Sequence, residues 1–284
     1  MKIGIGLPNH VRGARAEILP EWARRAEQAG FSSLGTIGRI AYPGVMDTVA
    51  LAAAAGATSR IGLVTSILVA PTWPATLLAK EVASVDGVSG GRLTLGIGLG
   101  GRPDDFTVEG LGPRGLGRRL DRDVETYKRL WAGGNVEGSI NPAVPDGTRS
   151  VPLLFGGMAQ AAFDRVARHG EGYLGAAVPP PMLAPAFDGV RAAWRAAGRS
   201  GDPRFVAITY FAFTDVDRGR ENERDYYSVM GDEMANAVAQ GVSGGADAVR
   251  ATRAAFEEIG TDELIFLPST DDIDDIGHLA DTVL

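Results

Sequence analysis

Two glycine-rich segments carry the clearest chemistry in the chain. The segment Phe155-Gly156-Gly157-Met158-Ala159 stands just before a helical pattern. The first N–H groups of a helix have no partner within it and face an anion together with the helix dipole. Glycine lets a ligand approach without a Cβ in the way. Gly156, Gly157, Met158 and Ala159 are therefore read as a phosphate pocket, with an ordinary tight turn as the plain alternative. The segment Gly96-Ile97-Gly98-Leu99-Gly100-Gly101-Arg102 matches the spacing G-x-G-x-x-G of dinucleotide sites. That motif should open a helix directly in the first strand–helix unit. Here Pro103-Asp104-Asp105 follows, on what counts as the fourth strand. The preferred reading is that Gly98 and Gly100 clear room for a flat ring, while Arg102 meets a phosphate as a guanidinium fork or lies on the surface.

The three histidines are unequal. His10 follows the first apolar run and is placed to act as acid, base or hydrogen-bond donor near neutral pH. His169 ends a helical pattern in Ala167-Arg168-His169-Gly170, where a capping role suffices. His278 reads as a surface residue. Arg39, with His10, is a catalytic candidate. Tyr42 and Trp73 are candidates for the substrate pocket, although Arg39 and Tyr42 would serve equally as rim packing. The other tryptophans, Trp22, Trp131 and Trp194, read as packing anchors between helices. The chain has no cysteine, which excludes disulfides, thiolate catalysis and zinc–thiolate sites.

These residues need a scaffold, and the apolar pattern supplies one. Short β-type runs are expected at 2–7, 33–37, 61–69, 92–98, 151–155, 172–176, 205–214 and 263–267. Helical patterns at about 16–29, 47–58, 75–88, 116–131, 159–169, 182–197, 218–239, 246–259 and 273–283 follow or separate them. Asp47 is placed as a helix N-cap. Such alternation implies a parallel sheet, and eight units in 284 residues fit a closed TIM (β/α)8 barrel of the α/β class as a single domain over residues 1–284. An open doubly wound sheet remains the alternative. In a barrel the chemistry sits at the C-terminal strand ends, where all the segments above fall. Hydrophobic residues make up 45% and charged residues 22%, with a net charge of −7. Nothing in this suggests a nucleic-acid or membrane partner, and no apolar stretch is long enough to cross a bilayer. The expected location is cytoplasmic. The acidic run Asp271-Asp272-Ile273-Asp274-Asp275 reads as a solvated helix N-terminus.

The stretch 60–101, with Arg60-Ile61-Gly62-Leu63, Leu68-Val69-Ala70-Pro71, Ser89-Gly90-Gly91-Arg92 and Leu95-Gly96-Ile97-Gly98, resembles the bacterial luciferase-like flavin-dependent oxidoreductases. Val151 to Gly157, Ala167 to Tyr173 and Asp262 to Ile265 extend that resemblance over nearly the whole chain. The resemblance implies a barrel holding FMN or the deazaflavin coenzyme F420. It implies an isoalloxazine resting on a bulged third strand at Thr65, Ser66 and Ile67, often with a cis Ser66–Ile67 peptide, and a phosphate at Gly157-Met158-Ala159. It also implies a homodimer. Many members carry an acidic residue and a histidine after strand two. This chain has Gly38-Arg39 there, and His10 is a conjectural replacement.

The leading expectation is a monooxygenase that takes reduced FMN from a separate flavin reductase and oxygenates a small organic substrate. Hydride transfer with coenzyme F420 is the first alternative. A non-catalytic flavin-binding protein, a nicotinamide dehydrogenase using Gly96 to Gly101, and a non-redox barrel enzyme binding a substrate phosphate are the others.

Overall fold

A computed structural model describes residues 1–107, 110 and 114–284. Its strands are β1 (Lys2–Gly6), β2 (Ser33–Thr36), β3 (Gly62–Thr65), β4 (Leu68–Val69), β5 (Leu93–Gly98), β6 (Leu153–Phe155), β7 (Gly172–Gly175), β8 (Arg204–Ala212), β9 (Ser243–Gly244) and β10 (Glu263–Pro268). They pair in parallel in the order β10-β1-β2-β3-β5-β6-β7-β8, and β8 pairs with β10. That last pairing closes an eight-stranded TIM barrel and removes the open-sheet alternative. The strands are buried on both faces, as their near-continuous apolar runs require.

Glu263 sits at the entry to β10 and accepts from Ser32 and Ser33, 2.6 Å each, and from Arg204. Burial opposes its charge, but these donors win and hold the carboxyl below its usual range. Gly4 stands beside this cluster, since a Cβ there would lie 2.4 Å from Ser33 Oγ. The Ser89-Gly90-Gly91-Arg92 turn is also structural: Gly90 and Gly91 hold positive φ, and Arg92 donates to the carbonyls of Ala55, Thr58 and Ile61.

Five local expectations are corrected. The run 61–69 is divided between β3 and β4 by a cis peptide at Ser66–Ile67. The helix over 218–239 is broken into Val216–Tyr227, a 3-10 turn at Ser228–Met230 and Asp232–Gln240, because Gly231 takes a φ of 91° that no helix tolerates. A short helix, Pro103–Thr107, does follow the glycines after β5, with proline at its first position. Asp47 is the first helical residue rather than the cap. In the acidic run, Asp275 is fully buried. It accepts from the amides of Phe213 and Thr214 at 3.2 and 2.9 Å, and from the hydroxyls of Thr214 and Thr270 at 2.6 and 3.0 Å. It ties the loop after β8 to the loop after β10.

Candidate active site

A cavity of about 600 Å³ opens at the C-terminal ends of the strands. Of the residues expected in the site, Ser66, Ile67, Gly98, Gly100, Arg102, Gly156, Gly157, Met158 and Ala159 line it. Ile67 forms the floor. A Cβ at Gly156 would lie 2.0 Å from Ile67 Cδ1, and one at Gly98 would lie 3.1 Å from its Cγ2. The glycines at the tips of β5 and β6 thus make room for Ile67 and leave a flat apolar surface above it. Ser66 presents a buried hydroxyl with no hydrogen-bond partner among the described residues. Thr65 does not line the cavity; its hydroxyl donates to the Gly96 carbonyl at 2.7 Å. Gly96 itself serves strand packing, since a Cβ there would strike the Thr65 carbonyl at 2.1 Å.

One wall follows β6. Helix Gln160–His169 starts two residues beyond the Gly156-Gly157 pair, with Gly157 at a φ of 127°. Tyr173 anchors this loop by donating to the Gly157 carbonyl at 3.1 Å. The amides of Gln160 and Ala161 find no backbone acceptor among the described residues, as expected of a first helical turn. Arg165, about one turn further on the same face as Ala161 and Ala162, also lines the cavity. Its guanidinium is held by Asp121 at 2.7 and 3.4 Å. The sequence reading missed Arg165, though its helical spacing from the glycine pair was a usable signal.

The opposite wall comes from the broken helix after β8. Tyr227 and Met230 line the cavity, with Ile208 below. The Tyr210 and Tyr227 hydroxyls lie 2.9 Å apart. Arg102 stands over the rings of Tyr226 and Tyr227, at 4.6 and 5.0 Å from their centroids. Burial works against its charge, but Tyr226, Tyr227, Tyr210 and Asp105 outweigh that and hold its pKa above the ordinary arginine value. Burial in turn pushes Tyr227 above the usual phenol range, with Arg102 opposing. Nothing in the Tyr226-Tyr227 sequence announced this wall, because the pair's burial comes from packing its helix across the mouth against His10 and Arg102.

His10, Arg39, Tyr42 and Trp73 do not line the cavity. His10 is buried against the rings of Tyr210 and Tyr226, its Nε2 3.3 Å from Glu223. Arg39 pairs with Asp104 and donates to the Tyr226 carbonyl. Tyr42 donates to Asp225 at 2.7 Å, and burial raises its pKa. Trp73 packs on the core, its carbonyl accepting from Arg119. Helix Pro103–Thr107 binds this region to the site: Asp105 accepts from the amides of Ile40 and Ala41 at 2.8 and 3.1 Å. His169 contacts Lys128 at 3.1 Å, and burial followed by that cation lowers its pKa.

Comparison with known proteins places these features in a wider set. A sequence model of the luciferase-like monooxygenases matches residues 1–263. An uncharacterized protein of Mycobacterium tuberculosis is 29% identical over 221 residues, 68% of this chain and 76% of its own length. The solved monooxygenase RslO1 of Streptomyces bottropensis superposes with a TM-score of 0.81 at 24% identity, covering 100% of this chain and 98% of that one. An F420-dependent secondary alcohol dehydrogenase, solved with an F420-acetone adduct, gives 0.80 at 18% identity over 99% and 98% of the two chains. Both structural likenesses concern the fold.

Proposed function

The chain belongs to the luciferase-like monooxygenase family, and from that premise we propose that it is an FMN-dependent oxygenase acting on a small organic substrate. Membership supports an oxidoreductase; the choice of cofactor is the further step. The cavity fits a flavin. A flat apolar floor at Ile67, Gly98 and Gly156 suits a ring system, the unpartnered Ser66 hydroxyl offers it a hydrogen bond, and the start of helix Gln160–His169 with Arg165 suits a phosphate. Reduced FMN, when bound, supplies the two electrons that divide O2 between an oxygenated product and water, and a separate reductase would restore it.

One observation favours oxygenation over hydride transfer. The ionisable side chains lining the cavity, among the described residues, are Arg102, Arg165 and Tyr227. Dehydrogenating an alcohol requires a base for the hydroxyl proton. Arginine does not give up its proton, and burial keeps Tyr227 protonated. His10 stands behind Tyr210 and Tyr226. An oxygenase asks instead for a dry, apolar enclosure and fixed hydrogen-bond donors. Ile37, Val69, Leu99, Ile208 and Met230 give the cavity an apolar lining, while Tyr227 and Arg102 present donors from one side.

The test is an anaerobic titration with reduced FMN and, in parallel, reduced coenzyme F420, followed by tryptophan fluorescence. Tight binding of FMN alone is expected, followed on admitting labelled O2 by label in the product of a turned-over substrate. Tight binding of F420 alone would replace this reading with hydride transfer. Binding of neither by folded protein would remove the flavin reading altogether.

A further inference from the structure

Two cations line a largely apolar cavity: Arg165 is paired with Asp121, while Arg102 forms no ion pair among the described residues. Among the described residues the Arg102 Nε is buried without a hydrogen-bond partner, and neither carboxylate that follows it closely in sequence forms an ion pair with it. Asp104 pairs with Arg39. Asp105 accepts from the amides of Ile40 and Ala41 through Oδ1, and its charge favours the guanidinium from a distance without pairing with it. The Tyr226 and Tyr227 rings hold the guanidinium in place. They offer it electron-rich faces, worth part of the hydration it has lost, but no counter-charge. A buried cation without a paired anion is costly, so a ligand that brings a carboxylate is favoured there.

The position of this cation separates it from the phosphate pocket. Tyr226 carries Arg102 on its ring together with Arg39, 5.4 Å from the centroid, and helix Pro103–Thr107 is bonded to the loop after β2. Arg102 is thus drawn to the β2 and β8 side of the mouth. The helix start at Gly157–Ala161 follows β6, and β3 and β5 lie between β2 and β6.

From this arrangement we infer that Arg102, clamped between Tyr226 and Tyr227, is a specificity-determining residue that selects substrates carrying a carboxylate on an apolar or aromatic body. What then happens to the substrate rests on the oxygenase reading; the anion preference does not. The carboxylate meets the guanidinium, and the apolar body extends along Ile208 and Met230, above the ring that the Ile67 floor would carry.

Benzoate and its neutral isostere benzamide are suitable probes, titrated calorimetrically into the full-length protein with and without FMN. Benzoate should bind about tenfold or more tightly than benzamide, the size expected of one charge-assisted pair. Arg102→Met should equalise the two while leaving FMN affinity unchanged, and Arg102→Lys should restore part of the preference. Tyr227→Leu, which removes one face of the clamp but keeps the charge, should weaken benzoate alone. Equal or undetectable binding of the two probes by wild type, or a preference that survives Arg102→Met, overturns the inference. So does an Arg102→Met protein that loses FMN affinity but keeps riboflavin affinity, because Arg102 would then serve the cofactor's phosphate. Failure of any flavin to bind, with the benzoate preference intact, would remove the oxygenase reading and leave the anion site standing.

Discussion

The Cδ1 of Ile67 occupies the space where a side chain at position 156 would begin, 2.0 Å from the Cβ that Gly156 lacks. The floor of the cavity therefore depends on a contact between the segment that joins β3 to β4 and the tip of β6. Gly156→Ala must push Ile67 up into the cavity or force β6 outward. Overpacking of this kind costs about 1–3 kcal/mol. The expected result is a lower Tm and a loss of reduced-FMN affinity of about tenfold or more, read by calorimetry and fluorescence titration. Gly156→Ala with unchanged affinity would show that Ile67 is not the surface on which the ring rests.

The phosphate assignment makes a separate demand. If the amides at the start of helix Gln160–His169 and Arg165 hold a phosphate, FMN should bind more tightly than riboflavin, and Arg165→Met should narrow the gap by about tenfold. Asp121 would stay compensated by Arg168 at 3.7 Å, so a fold defect is not expected. Parallel titrations with both flavins check this, and a gap unaffected by the substitution would exclude Arg165.

Asp275 should prove a stability residue despite its place in an acidic run. Its carboxylate takes four hydrogen bonds in full burial. Asp275→Ala leaves those donors unsatisfied and should cost about 3 kcal/mol or more, visible as a lower urea midpoint. A solvated aspartate would give almost none.

Asp47 gives stability a pH dependence of the less common sign. Burial, aided by Glu81, raises its carboxyl to about 6 from 3.8, against the pull of the Thr48 amide. A raised carboxylate binds its proton better folded than unfolded. Its contribution is best below about pH 4, falls as pH rises towards 6 and stays low above, a difference of roughly 3 kcal/mol. Asp47→Asn should therefore match wild type near pH 4 and exceed it near pH 7. Urea unfolding at the two pH values checks the sign; equal gaps at both would mean Asp47 is charged throughout.

The eight strand–helix units, the barrel and the two glycine segments were legible in the chain itself, while Ser66 and Ile67 came from the family resemblance. Apolar runs buried on both faces and glycine at strand ends are local demands, written residue by residue, and closure of the barrel follows from their number. Much of the cavity lining at β5 and β6 was found for that reason. The other wall was decided only by tertiary structure. The sequence around Tyr226 and Tyr227 reads as surface helix, and its burial comes from packing across the mouth. His10, Arg39 and Tyr42 stand at strand ends like the rest, yet helix Pro103–Thr107 and the tyrosine cluster bury or cover them. Which strand-end side chain faces the cavity is set by competition among loops distant in sequence, and side-chain burial is a property of that sum, which no local pattern contains.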